Sequence, residues 1–203
     1  KISRYVEIDG QPHVVEILNV LDVTTESFEN AREQLTAKVR GYDEELYLDA
    51  LTGAYNRRYY ENRIRKVRGH AGVAMIDLDD FKLYNDTCGH NAGDLVLNTV
   101  VGIIRGCICK TDILIRYGGD EFLLILQDVD EEIFSKKLKQ IRDMVCEAEV
   151  PGYARLRLTV SIGGVLADNE TIESAVARAD GLMYQAKNRK NMIVTEKSGI
   201  DSA

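Results

Sequence analysis

Ile113-Leu114-Ile115-Arg116-Tyr117-Gly118-Gly119-Asp120-Glu121-Phe122-Leu123-Leu124-Ile125-Leu126 is the stretch that decides the fold. Two apolar, β-rich runs flank a Gly-Gly pair, the pattern of adjacent antiparallel strands joined by a tight turn. Gly118 and Gly119 are expected to supply positive φ there and to let backbone N–H groups approach a ligand that any Cβ would push away. Asp120 and Glu121 follow at once, so the turn delivers two carboxylates to a strand end. Taken alone, this is a hairpin with acids beside its turn.

On either side the periodicity alternates between helix and strand. Helices are expected near 56–67, 80–86, 92–108, 131–147 and 171–189, and strands at 72–78, 112–117, 121–127, 155–166 and 191–195. A hairpin set among helix-linked strands argues for an α+β domain, a central, mostly antiparallel sheet flanked by helices. Further upstream, residues 3–8 and 14–21 flank the turn-forming Asp9-Gly10-Gln11-Pro12 and read as a second hairpin. Between them and the α+β part, apolar residues at Phe28, Ala31, Leu35, Val39, Tyr42 and Leu46 form a helical stripe over 26–48. That stripe fits a parallel coiled coil carrying a signal and, equally, a helix packed on its own domain.

Composition excludes several classes. At 203 residues and 45 % hydrophobic content the chain can bury a real core, which rules out a disordered protein. Its 26 basic and 33 acidic residues leave a net charge of −7, a field that repels DNA and anionic lipid, so no nucleic-acid partner is expected. Cys88, Cys107, Cys109 and Cys146 have no C-x-x-C spacing and no accompanying His cluster, the usage of reduced thiols and not of a zinc site. No apolar run approaches the roughly 18–20 residues of a membrane helix, so this segment is expected to be cytoplasmic. It opens at Lys1, inside a strand-like run, and is expected to be cut from a longer protein, whose remainder leaves membrane attachment open.

Three further clusters carry chemistry. In Met75-Ile76-Asp77-Leu78-Asp79-Asp80-Phe81-Lys82 an apolar strand emerges into three acids, and alternation puts Asp77 and Asp79 on one face. Clustered carboxylates repel one another unless a cation neutralises them, and hard oxygen donors suit Mg²⁺ or Mn²⁺. By itself the cluster is a solvated strand end, but with Asp120 and Glu121 on a neighbouring strand it has the make-up of a two-metal phosphoryl-transfer centre. Asn85 to Asp94 links a short helix to a long one. Its amide and carboxylate groups suit the guanine edge, whose N1–H and amino group donate to a carboxylate, but equally suit a helix start with Asn91 as cap. Lys187 and Lys190 close the helix of 171–189, placed either to reach phosphate oxygens or to complement the helix dipole.

These motifs together resemble the GGDEF family of diguanylate cyclases. Asp49 to Arg58 is similar to the family's opening motif, Asp77 to Lys82 to its metal strand, Asn85 to Asp94 to its base-recognition segment, and Gly118 to Phe122 to its signature hairpin. The likeness runs on through Thr159-Val160-Ser161-Ile162-Gly163 to Lys187, so it covers about 48–196 in collinear order. It implies a sheet like the palm of class III nucleotide cyclases. It implies too that two GTP are condensed into cyclic di-GMP, with pyrophosphate released, across an antiparallel homodimer.

The resemblance further implies roles for single residues. Asp77, the carbonyl of Leu78, Asp120 and Glu121 hold Mg²⁺ or Mn²⁺, two ions per half-site. Glu121 also activates the ribose 3′-hydroxyl. Asn85 and Asp94 read guanine, Phe81, His90, Gly118 and Gly119 line the nucleotide site, and Lys82, Lys187 and Lys190 bear on phosphate. Asp112 would belong to a product-inhibition site, but Cys109 stands where the family's Arg-x-x-Asp has its arginine, so weak inhibition is expected. The run Lys187 to Asn191 is one residue shorter than the family's and lacks its glycine.

The division implied is 1–25, a hairpin resembling the end of a PAS-like sensor domain, then a signalling helix over 26–48 and a GGDEF domain over 49–203. The rival function is a non-catalytic GGDEF module that senses GTP or cyclic di-GMP. Its degenerate members lose signature acids, which this chain keeps as Asp120 and Glu121.

Overall fold

The computed structural model describes residues 2–8, 11–17, 46–153, 156–196 and 199–201. The chain divides into two compact units, Lys1–Leu46 and Tyr47–Ala203. In the first, β1 (Ile2–Ile8) and β2 (Gln11–Ile17) pair antiparallel from Ile2↔Ile17 to Ile8↔Gln11. Only Asp9 and Gly10 separate the strands, so the second starts at Gln11 and not at the expected Val14. Pro12 sits opposite Glu7 on a strand with one paired edge, where its missing N–H is tolerated. Most of the helix expected over 26–48 lies outside the described residues; Leu46 and Tyr47, near its end, are helical.

The second unit is a seven-stranded sheet with helices on both faces. Its strands are β3 (Tyr55–Asn56), β4 (Arg68–Leu78), β5 (Ile113–Arg116), β6 (Glu121–Gln127), β7 (Val160–Thr171), β8 (Ile193–Thr195) and β9 (Gly199–Asp201). The spatial order is β3-β5-β6-β4-β7-β8-β9, antiparallel except for the parallel β3/β5 and β7/β8 pairs. The α+β expectation holds. A short helix, α1 (Arg57–Tyr59), runs on into a π turn (Tyr60–Ile64). The longer helices are α2 (Phe81–Cys88), α3 (His90–Cys107), α4 (Glu131–Cys146) and α5 (Ile172–Lys187).

Alternation along β4 explains how the layers form. Ala74, Ile76 and Leu78 pack with Val100 and Ile104 of α3 and with Leu138 and Ile141 of α4, whereas Val73 and Met75 face Ala175, Ala179 and Met183 of α5. Each fully buried large side chain here contributes on the order of 2 kcal/mol. By the same alternation Asp77, and Glu121 at the start of β6, fall on the face that α5 covers. Helix α5 lies directly on β7: a Cβ at Gly163 would be 2.1 Å from both Ala179 O and Met183 N. That approach brings the C-terminal turn of α5 to the acidic end of β4.

The strand expected at 155–166 instead spans Val160–Thr171. Its polar end, Glu170 and Thr171, pairs with Gly69 and Arg68 of β4 past a register shift. Local propensity opposes that pairing and the ladder imposes it.

Candidate active site

The site is built where β4 and β6 end side by side. Asp77 stands directly opposite Glu121 in the register, and the Leu78 amide donates to the Asp120 carbonyl at 3.2 Å. Asp77 is 1 % exposed. One of its oxygens, Oδ2, accepts from Lys187 Nζ at 2.8 Å; the other, Oδ1, is buried and has no hydrogen-bond partner among the described residues. Burial pushes this carboxyl up to about 6: Lys187 pulls it down, while the charges of Asp120 and Glu121 add to the upward push. Burial works against the Lys187 charge too, but the bond and attraction to Asp77 outweigh it and raise the ammonium above its usual range.

An orphaned, buried carboxylate oxygen flanked by two more acids fits a hard divalent cation in its chemistry. The side chains do not converge as a ligand set: among the described residues no three His, Cys, Asp or Glu groups are gathered closely enough to hold an ion. The place beside Asp77 is taken by an ammonium.

The signature hairpin is held by Arg116. Its Nε and Nη2 donate to the Gly119 carbonyl at 3.1 and 2.8 Å, and Nη1 reaches Asp49 in the opening motif. Neither Gly118 nor Gly119 has positive φ, contrary to expectation. Room is what Gly118 provides, since a Cβ there would meet Glu121 Oε2 at 2.5 Å; a Cβ at Gly119 would meet nothing within 4 Å.

Asp79 and Asp80 do different work from Asp77. The carboxylate of Asp79 accepts from Ser161 Oγ at 2.7 Å, Thr159 Oγ1 at 2.8 Å and Asn191 N at 2.9 Å. It thus ties β4 to β7 and to the turn after α5, with both of its oxygens engaged. Asp80, in the left-handed region with φ +58°, accepts from Lys190 Nζ with both oxygens at 2.7 and 2.8 Å. Lys190 and Asn191 are also left-handed, so this shortened turn adopts without glycine a conformation that glycine would adopt more easily. The clamping role of Asp79, Arg116 and Asp49 escapes sequence reading; the hydroxyls of Thr159 and Ser161 in an apolar strand are the available signal.

The base-recognition candidates lie along α2 and the start of α3. Asn85 leans over Gly93, where a Cβ would be 2.0 Å from Asn85 Oδ1 and 3.2 Å from the Phe81 ring. Gly93 therefore makes room for Asn85. His90 and Asp94 are exposed on the first turns of α3, and Lys82 is exposed on α2. Asn91 is not the cap of α3: the helix starts at His90, with Gly89 at φ +83° preceding it. Asp112 lies apart, at the opposite end of β5 from the hairpin. Its two oxygens accept from the backbone amides of Cys109 at 2.8 Å and Gln127 at 3.2 Å, which closes a turn.

The sheet thus ends in carboxylates beside a glycine hairpin. Residues 46–192 match the family described as diguanylate cyclase, GGDEF domain, and the chain belongs to that family. It is 36 % identical over 135 residues to diguanylate cyclase A of Treponema denticola, covering 64 % of this chain and 36 % of that protein. It is 32 % identical over 180 residues to diguanylate cyclase VdcA of Vibrio cholerae, covering 84 % and 51 %. The chain thus spans between a third and about half of these relatives' length.

Among solved structures, diguanylate cyclase SiaD of Pseudomonas aeruginosa, in complex with its activator SiaC, superimposes with a TM-score of 0.68 at 29 % identity over 84 % of this chain and 70 % of that one. The coiled coil and GGDEF domain of DgcB from Caulobacter crescentus, at 24 % identity, shares the fold with a TM-score of 0.73 over 84 % and 96 %. Among the described residues, no helix is long and apolar enough to cross a membrane.

Proposed function

We propose that this chain is the catalytic part of a diguanylate cyclase, joining two GTP into cyclic di-GMP with release of pyrophosphate. The observation that carries the reading is the in-register pair of Asp77 and Glu121, with an unpartnered Asp77 oxygen and the Lys187 ammonium beside it. Carboxylates and an ammonium at one strand end are what transfer to an α-phosphate needs. Asp77, Asp120, Glu121 and the Leu78 carbonyl would hold Mg²⁺ or Mn²⁺, which supplies charge neutralisation at the phosphate when bound. Glu121 takes the proton of the ribose 3′-hydroxyl as its oxygen attacks in line. Lys82, Lys187 and Lys190 bear the polyphosphate charge, and Asn85 and Asp94 read guanine, with Phe81 and His90 lining the site.

Each copy holds one GTP, so nucleophile and phosphate meet only when two copies face each other in a homodimer. The 26–48 segment acts as the signalling helix that sets their encounter, the 1–25 hairpin as the end of a sensor domain, and 49–203 as the catalytic domain, working in the cytoplasm where GTP is supplied.

The test is a concentration series of the protein with GTP and Mg²⁺, reading cyclic di-GMP and pyrophosphate. Product should rise faster than linearly with protein and vanish in Glu121→Gln. Nucleotide binding without product, even with dimerisation enforced, would replace this reading with the sensor module.

A further inference from the structure

Lys187 and Lys190 leave the same turn and meet different acids. Lys190 pairs with Asp80 at the surface, with side chains 54 % and 42 % exposed. Lys187 pairs with Asp77, whose side chain is 2 % exposed while that of Lys187 is 42 % exposed. The carboxylate is therefore fixed in the protein, and the ammonium, on a flexible stem at the end of α5, is free to leave toward water. Asp77 keeps its second oxygen buried and unpartnered among the described residues. A divalent cation and an ammonium on one carboxylate repel each other strongly in so buried a place.

From this we infer that Lys187 is the place-holder of the carboxylate centre: its ammonium neutralises Asp77 while no cation is bound, and a divalent cation displaces it and frees it for polyphosphate. The inference rests on the proposed function, in which these carboxylates receive a metal. It adds a linkage. Because one ammonium serves Asp77 or phosphate but not both, metal binding strengthens polyphosphate binding, and reciprocity requires the converse by the same factor. Lys190, whose partner is outside the centre, takes no part in the exchange and serves as the internal control.

The experiment uses Mn²⁺ alone, without nucleotide, at pH 8.5, counting free ion by electron paramagnetic resonance. Lys187→Met is expected to bind Mn²⁺ about tenfold more tightly than the unaltered protein, and Lys190→Met to change it by less than about twofold. A second arm needs no variant: the unaltered protein is treated with an amine-reactive reagent, with and without Mn²⁺, and modification is read by mass spectrometry. Modification of Lys187 should rise severalfold with Mn²⁺ while that of Lys190 stays constant.

Equal or weaker Mn²⁺ binding by Lys187→Met, equal tightening by Lys190→Met, or Lys187 labelling that Mn²⁺ does not move would each overturn the place-holder role. Mn²⁺ bound with Lys187 unmoved overturns that role alone. No Mn²⁺ on any of the three proteins overturns the metal reading with it.

Discussion

Arg116 Nη1 donates to both carboxylate oxygens of Asp49, at 3.1 and 3.2 Å, across 67 positions of sequence. The same guanidinium holds the Gly119 carbonyl, so one side chain fixes the signature hairpin to the opening motif. The motif is braced in turn, because Asp49 Oδ1 also accepts from Thr52 N and Thr52 Oγ1 at 2.9 and 2.6 Å.

Arg116→Lys should uncouple the two. Lysine is a point charge and cannot hold Asp49 and Gly119 at once, so a loss of about 1–2 kcal/mol in stability is expected, with a more than tenfold fall in cyclic di-GMP synthesis. Burial alone would lift Asp49, but bonds from Thr52 and Arg116 outweigh it and hold the carboxyl below its ordinary 3.8. A depressed acid contributes stability above its unfolded value and loses it as pH falls through the folded one. The gap between the two proteins in urea unfolding should therefore narrow below about pH 4. Unchanged activity in a folded Arg116→Lys protein would show that the hairpin holds itself.

The two signature glycines should behave differently. At Gly118 a methyl group would fall 2.5 Å from Glu121 Oε2, the far end of a flexible side chain, so the fold should adjust and the carboxylate should move. Gly118→Ala is expected to unfold within about 1 kcal/mol of the unaltered protein yet to lose more than tenfold in product formation. Gly119→Ala meets open space and should match the unaltered protein in urea unfolding. Full activity in Gly118→Ala would mean that Glu121 need not stand where it does.

Much of the fold is legible in the chain because central strands covered on both faces read as unbroken apolar runs. Met75 to Leu78 and Phe122 to Leu126 announce central strands, and the helical periodicity of 131–147 announces α4, which the structure shows capped by Asp130 Oδ1 accepting from Ile133 N at 2.8 Å. What stays hidden depends on distant partners. β3 is two residues long and rests on its parallel pairing with Ile115 and Arg116 and on a bridge from Tyr55 to Leu48. The Lys187–Asp77 and Lys190–Asp80 bonds each span 110 positions and depend on the packing of α5 on β7 at Gly163. Gly118 is needed for room and not for positive φ, and sequence cannot separate those two needs.

Product inhibition at the 109–112 turn should be weak. Both oxygens of Asp112 already accept backbone amides, and Cys109 has no guanidinium with which to grip guanine or phosphate. Cyclic di-GMP is expected to leave initial rates unaltered at micromolar concentration, and Cys109→Arg to introduce inhibition. Sub-micromolar binding by the unaltered protein, lost on Asp112→Ala, would refute this.

Asp77→Asn should make the metal-free protein more stable and inactive. The folded protein protonates Asp77 at about 6, against an ordinary value of 3.8. Between those values the folded state binds more protons than the unfolded one, so stability falls as pH rises from about 4 to about 6 and stays lower above that. Keeping the charge in place costs on the order of 3 kcal/mol at neutral pH, with the pull of Lys187 already counted in it. Replacing it with a neutral amide removes that cost but leaves the Lys187 ammonium without its charged partner. In EDTA at pH 8, Asp77→Asn is therefore expected to unfold at higher urea, by about 1 kcal/mol, and the advantage should vanish by about pH 4.5. Lower stability of the variant at pH 8 would mean that the Lys187 bond outweighs burial. A gain in stability accompanied by loss of product would mark Asp77 as a charge that the fold tolerates for the sake of its chemistry.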